Sequence, residues 1–289
     1  MKLFDKNKLK IFWSFSQSGN IWKFIFGGDK YIIGETRDTI NKKLYLFSLD
    51  FNTGKVFLRD HTFESENFWV SIEGANENIF FLGRFENPKL PYQKNIIALD
   101  IETGQKVWEN DKYSYLLNTD KQLFGIKKKF ESNEISEIDI MTGRNLKTLS
   151  EDEHLTVFEL RNNNEDFLYE NSNYPIKYIK SDTEDIVNNA FALIFNKEKN
   201  VHNIEYIKKG SLLIFNYYIN LAVDSHNNER ILYENKFMIY DMMKESVLFE
   251  DILNRKTNYC VPDNFFIKNN YLFYLKEMNL LNCIKLNLE

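Results

Sequence analysis

Apolar and polar positions along this chain alternate in short runs, and compact polar turns separate the runs. Residues 68–73, 79–82 and 95–99 make one such series. A period of two is that of a strand with its alternate side chains on opposite faces. The pattern therefore predicts many short strands joined by tight turns, the signature of an all-β sandwich or of a propeller.

The turns decide between these. Leu49-Asp50-Phe51-Asn52-Thr53-Gly54 and Leu99-Asp100-Ile101-Glu102-Thr103-Gly104 share one form, and Ile138-Asp139-Ile140-Met141-Thr142-Gly143 repeats it. Each joins two apolar runs. The Asp side chain can cap such a turn, and the Gly takes the left-handed position that sends the chain back. A worn copy without the Gly stands at Tyr240-Asp241-Met242-Met243-Lys244-Glu245. A second series of polar turns begins at Gly27, Gly74, Asn118, Arg161, Lys208 and Lys268. A period of about 40 to 50 residues holding four strands is a propeller blade. In each blade, strands A and B are joined by the second series of turns, and strands C and D by the Asp-x-x-Thr-Gly series.

The reading is one domain over residues 1–289: an all-β propeller of about six four-stranded blades, with seven as the alternative count. A β-sandwich with chance similarity between turns is the competing fold. Blade four is the least regular. It is expected to hold strands at 155–160, 167–170 and 176–180, and the turn Ser181-Asp182-Thr183-Glu184 can instead cap a short helix through Asn189. The run 190–195 fits a strand D, a short helix or part of a seventh blade. The last blade has A (265–267), B (271–275) and C (280–286) but no D. A spare strand at 10–15 precedes blade one, and its Phe12-Trp13-Ser14 aligns with Val107-Trp108-Glu109 of strand D in blade two. The N-terminal strand is therefore expected to complete the last blade and close the ring, which removes open sheet edges.

Composition fits this picture. Aromatic residues make up 16%, with 25 Phe and 16 Tyr, and favour strands. With only 11 Gly and 4 Pro, turns must often rest on Asn and Asp. The net charge is −5, and Lys and Arg are scattered among acids. Nucleic-acid binding, which needs a basic face, is thus not expected. No apolar run approaches the length of a membrane span, and the charged start, Met1-Lys2-Leu3-Phe4-Asp5-Lys6, is not followed by the apolar core of a signal peptide. A cytoplasmic monomer without membrane association is expected. Cys260 and Cys283 read as two buried free thiols, with a single disulfide as the alternative. Two cysteines so spaced do not make a four-ligand zinc site.

The string Ile96-Ile97-Ala98-Leu99-Asp100-Ile101-Glu102-Thr103-Gly104-Gln105-Lys106-Val107-Trp108 resembles a repeat of the quinoprotein-like propellers, and three copies cover blades one to three. The resemblance implies a propeller whose Asp, Gly and Trp build turns and stack between blades. It does not imply a bound quinone, and no cofactor is expected. The chain also resembles an uncharacterised bacterial family known only as a domain of unknown function, through Trp13-Ser14-Phe15, Ile21-Trp22, and Pro88, Pro91 and Lys94 leading into the blade-two repeat. It is similar as well to propellers of the outer-membrane assembly machinery, without their lipid-anchor cysteine.

Catalytic signatures are missing. There is no Gly-x-Ser-x-Gly, P-loop or Gly-x-Gly-x-x-Gly, and His61, His154, His202 and His226 are dispersed. Asp224, His226 and Glu229, with Arg230 beside them, are the strongest metal candidates by residue type, although a solvated loop is the ordinary reading of such a stretch. Topology is more informative. A–B and C–D turns share one end of a blade, and B–C loops occupy the other. The B–C loops read as long: 35–43, 84–94, 127–133 and 219–235. Long loops on a rigid scaffold are where binding residues concentrate. Arg37, Arg84 and Lys127 follow strand B in blades one to three and would hold an anion if they met at one ring level. Pairing with Glu35, Asp38 or Glu86 is the favoured alternative. Tyr92 and Lys94, flanked by Pro88 and Pro91, complete the candidates. The expectation is a non-enzymatic propeller that engages a protein or peptide through its B–C face. The alternative is a hydrolase or lyase acting on an anionic small molecule at the channel mouth.

Overall fold

The computed structural model describes residues 9–64, 68–86, 93–129, 132–169, 171–196, 200–224 and 230–286. After β1 (Trp13–Ser16), three four-stranded antiparallel sheets follow in succession. The first is β2 (Asn20–Gly27), β3 (Tyr31–Asp38), β4 (Lys43–Asp50) and β5 (Val56–His61). The second is β6 (Val70–Ala75), β7 (Ile79–Phe85), β8 (Gln93–Asp100) and β9 (Lys106–Asn110). The third is β10 (Ser114–Asn118), β11 (Leu123–Lys128), β12 (Asn133–Ile138) and β13 (Asn145–Thr148). Then come α1 (Glu151–Tyr169), β14 (Ser172–Asn173), β15 (Ile176–Lys177) and α2 (Asp185–Ile194). Two further sheets hold β16 (Val201–Lys209), β17 (Leu212–Asp224), β18 (Arg230–Asp241) and β19 (Ser246–Thr257), and then β20 (Phe265–Lys268), β21 (Tyr271–Lys276) and β22 (Leu280–Lys285). The chain divides into two compact units, Ser16–Glu170 and Met1–Phe15 with Asn171–Glu289.

In the first of these units, the predicted turns are built as the sequence dictates. Asp100 Oδ1 accepts the N–H of Glu102 (3.1 Å) and both the N–H (2.7 Å) and hydroxyl (2.8 Å) of Thr103. Gly104 N–H returns to Asp100 O at 2.9 Å, with Gly104 at φ 67°. Asp50 and Asp139 repeat these bonds. The C–D and A–B turns are tied together, since Phe51 N–H donates to Lys30 O (2.7 Å) and Ile101 N–H to Asn78 O (3.0 Å). They share one end of each sheet, as the topology requires.

Strand β7 has both faces buried. Phe80 and Leu82 pack toward the first sheet, with Ile33, Leu46 and Ile72. Ile79 and Phe81 pack toward the third, with Trp108, Leu123 and Ile138. That is why strand B reads as a continuous apolar run. Strand D of the first sheet locks onto the C–D turn of the second, and strand D of the second onto that of the third. His61 Nε2 donates to Gly104 O at 3.0 Å, and Trp108 Nε1 donates to Ile140 O at 3.0 Å. A Cβ at Gly104 would lie 2.4 Å from the His61 ring, and one at Gly143 equally close to the Trp108 ring.

The other unit contains two five-stranded sheets, ordered β1-β22-β21-β20-β14 and β15-β16-β17-β18-β19. The N-terminal strand lies beside β22, with Phe12 N–H on Cys283 O at 2.7 Å. Trp13 packs on Phe273 with ring centroids 5.8 Å apart, as Trp108 packs on Phe81 at 6.0 Å. The alignment of the two Trp segments therefore has a structural counterpart. The short strands β14 and β15 add to β20 and β16, so one strap of chain covers the edge of both sheets.

Several expectations are corrected. Residues 155–160 and 167–169 are not strands of a fourth blade but lie in α1, and among the described residues there are five sheets rather than six; residue 170 lies outside the described residues. The cause is a capping box. Ser150 N–H and Oγ both donate to Glu153 Oε2, at 2.9 and 3.0 Å, and Glu151, Asp152 and Glu153 suit the positive end of the helix. The Lys147 ammonium and these Ser150 bonds bring the Glu153 carboxyl down to about 2. The short helix foreseen after Thr183 forms as α2 and takes in most of the unplaced run to 195; its Val187, Ala190 and Phe191 are buried. The long B–C loops are shorter than expected. Residues 35–43 are largely strand and end in a tight turn in which Asp38 Oδ1 accepts the N–H groups of Ile40 and Asn41 (3.0 and 2.9 Å). Residues 219–224 and 230–235 extend the β17–β18 hairpin. Cys260 and Cys283 are free; Cys283 is buried, which pushes its thiol up. Among the described residues no helix is long and apolar enough to cross a membrane.

Candidate functional site: the B–C end of the first two sheets

Each inner strand of the first three sheets carries one extra residue. Ile21 pairs with Thr36 and Lys23 with Glu35, so Trp22 is the bulged residue of β2. Glu73 holds this place in β6 and Leu116 in β10. A bulge re-aims the side chain it carries. Here it leaves Trp22 67% exposed between the buried Ile21 and the partly buried Lys23. Trp69, just ahead of β6, is 41% exposed and meets Phe68 edge-on at 5.0 Å. Ile40, on the B–C turn of the first sheet, is 90% exposed. All lie at the B–C end, where Phe85 N–H donates to Trp69 O at 2.9 Å.

Arg37 organises this end. Its guanidinium lies 5.8 Å from the Trp22 ring centre and 5.5 Å from that of Phe68. It donates to Glu35 at 2.8 Å, to Phe68 O at 2.9 Å and to Val70 O at 2.6 Å. Glu35, 0% exposed, accepts the N–H of Ile72 at 2.9 Å through its other oxygen. Arg37 and Glu35 thus stitch β3 to β6, and the buried carboxylate has both a charge partner and a backbone donor, as burial demands.

Behind the aromatic residues lies a polar cluster. Glu73 Oε1 accepts from Gln93 Nε2 at 2.7 Å. Gln93 is on β8, and it reaches β6 only because Gly83 of the intervening β7 has no side chain. A Cβ there would stand 2.2 Å from Gln93 Oε1. Burial holds the Glu73 carboxyl above the usual range, against the Gln93 bond and the Lys23 charge. Lys23 Nζ donates to Ile72 O. Tyr115 OH donates to Asn118 Oδ1 at 2.7 Å, and burial pushes that phenol up.

The three candidate cations do not form one ring. Arg37 points from the first sheet toward the second. Arg84 shares the face of Phe80 and Leu82 and points back toward the first; it pairs with Glu64 at 2.7 Å. Lys127 is exposed, opposite Glu134 in the β11–β12 register. Lys94 is exposed on β8, directly opposite Arg84. Tyr92, His226 and Glu229 lie outside the described residues. Asp224 closes β17 and Arg230 opens β18, paired across the hairpin. Among the described residues no three His, Cys, Asp or Glu side chains are grouped as metal ligands would be. Trp22, Phe68, Trp69 and Glu73 were not among the candidates. Trp22 interrupts the alternation of its strand, and that was the one legible sign of them.

Fold and site together define an all-β protein with a propeller-like series of four-stranded antiparallel sheets. Residues 27–108 match a family described as Domain of unknown function (DUF4905). The match runs from the end of β2 into β9 and takes in both Asp-x-x-Thr-Gly turns between them. No curated protein matches the sequence. Among solved structures, the Dos1 propeller is similar at 13% identity and TM-score 0.33, over 93% of this chain and 62% of that one. A eukaryotic initiation factor is similar at 9% identity and TM-score 0.32, over 82% of this chain and 56% of that one. A europium-containing methanol dehydrogenase is similar at 11% identity and TM-score 0.29, over 95% of this chain and 52% of that one. The chain therefore spans little more than half the length of these structures.

Proposed function

We propose that the protein is a non-enzymatic binding propeller that engages a protein or peptide partner through the B–C end of its first two blades. The carrying observation is the exposed pair Trp22, on β2, and Trp69, on the turn leading into β6, held by Arg37 and Phe68. Trp and Arg are the residue types that dominate protein interfaces, and a stiff support lowers the entropy lost on binding. Arg37 is already committed to Glu35 and two carbonyl groups, so its part is to hold the aromatic rings. The same reading treats the chain as one domain. Its support is connectivity: β1 extends the last sheet, and only residues 17–19 separate it from β2 of the first. It also keeps the protein in the cytoplasm, in line with two free cysteines.

The test is affinity capture with the wild type and with a Trp22→Ala/Trp69→Ala variant. A specific partner retained by the wild type and lost by the variant, at equal thermal stability, is the expected result. A partner held equally by both would remove this face from the proposal. Arg37→Glu is unsuited to the purpose, since it would break the stitch between β3 and β6.

A further inference from the structure

The sheet of β15 to β19 contains a buried polar chain with one unsolved end. Asn216, 0% exposed on β17, donates through Nδ2 to Asn235 Oδ1 at 3.1 Å. Asn235 Nδ2 donates to the Tyr218 hydroxyl at 3.0 Å. That hydroxyl donates to Val261 O at 2.9 Å and accepts the Val261 N–H at 2.9 Å. The Tyr218 hydroxyl gives its one proton to Val261 O, so Asn235 must present its Nδ2 to that hydroxyl and Asn216 its Nδ2 to Asn235. Asn216 Oδ1 is thereby left as an acceptor, buried and without a donor.

Its neighbour has the same deficiency. Glu205 on β16 is the direct cross-strand partner of Asn216. Side chains so placed start about 5 Å apart. The Glu205 carboxyl takes the N–H of Asp263, yet its Oε2 is also buried without a donor. Two acceptors on directly opposed residues therefore each lack a donor hydrogen, and buried oxygens are rarely left so. A neutral carboxylic acid supplies that hydrogen, because its O–H is a donor.

We propose that Glu205 is held as the neutral acid and that its proton, carried on Oε2, is donated to Asn216 Oδ1, completing a pH-sensitive lock between β16, β17 and the segment 260–264. The groups facing Glu205 agree with this. Lys177, opposite it on β15, is exposed to solvent, and Asp263 adds a negative charge. Tyr218, pushed up to about 12 by burial, and Cys260 are the other titratable groups at the chain. Burial and Asp263 hold the Glu205 carboxyl above its usual range, against the Asp263 N–H and Lys177. The folded state then binds this proton more tightly than the unfolded chain. The lock is fully present below the unfolded carboxylate value, and its contribution is lost as pH rises through the folded one.

The experiment uses the full chain. Thermal melting is followed from the carboxylate range to neutral pH for wild type and Glu205→Gln, and infrared spectra of the wild type are searched for a protonated-carboxyl stretch. The Gln amide mimics the neutral acid. Its melting temperature at neutral pH should equal or exceed that of wild type, and the melting curve should lose part of its pH dependence. The infrared band should be present in wild type and missing from the variant. A variant that melts lower at neutral pH with unchanged pH dependence, or a wild type without the band, overturns the proposal. Stabilisation of wild type but not of the variant by added calcium or magnesium would overturn it too, since a cation would then join the two oxygens.

Discussion

Asp100 illustrates how much one side chain can specify. Its carboxylate oxygen serves three donors within three residues, Glu102 N–H, Thr103 N–H and the Thr103 hydroxyl. All partners are local, so sequence alone exposes them. Asp100→Ala is expected to lower stability by about 1 to 2 kcal/mol, the usual worth of a capping side chain, read as a lower urea midpoint. An unchanged midpoint would mean that backbone bonds alone hold the turn. At Asp139 the Thr142 hydroxyl and amide hold the carboxyl below its ordinary range, so that turn is supported at neutral pH and loses support as pH falls through the folded value. Glu35 and Arg37 are the opposite case. Their pairing is local, but their other partners, Ile72 N–H, Phe68 O and Val70 O, sit on the next sheet, where no sequence spacing leads.

At the scale of elements, the difference between a strand and a helix at 151–169 turned on end signals rather than on periodicity. The stretch has weak apolar patterning, and among its described side chains only Val157 is fully buried. The Ser150–Glu153 capping box was present in the sequence and outweighs that weakness. The bulges were not legible, because an extra residue shows itself only against a partner strand. Contacts between elements carry the largest single-residue effects. Trp108 is buried, packs on Phe81 and donates to Ile140 O. Trp108→Ala should destabilise by about 3 to 5 kcal/mol, whereas Trp22→Ala, on an exposed ring, should stay within about 0.5 kcal/mol of wild type. Chemical denaturation of the two variants separates these roles. Equal losses would contradict the assignment of Trp22 to a binding surface.

For the whole molecule, the informative element is β1. It gives the last sheet its outer strand, from the far end of the chain. Removing residues 1–16 would uncover the edge of β22 and deprive Phe273 of the Trp13 ring. An open edge invites pairing with other chains. The truncated protein is therefore expected to lose the native melting transition or to aggregate, which calorimetry and light scattering would detect. A truncation that melts as the full chain does would show that β1 is dispensable. By itself, the sequence determined the strand period, the Asp-x-x-Thr-Gly turns, the Ser150–Glu153 helix start and the spare N-terminal strand, since each depends on neighbours within a few residues; the helix after Thr183 was one of two readings it left open. Tertiary structure alone decided that β14 and β15 cover the edges of β20 and β16, and that Arg37 and Glu35 reach across to Phe68, Val70 and Ile72. Those outcomes rest on partners brought together from distant segments, and local spacing carries no record of them.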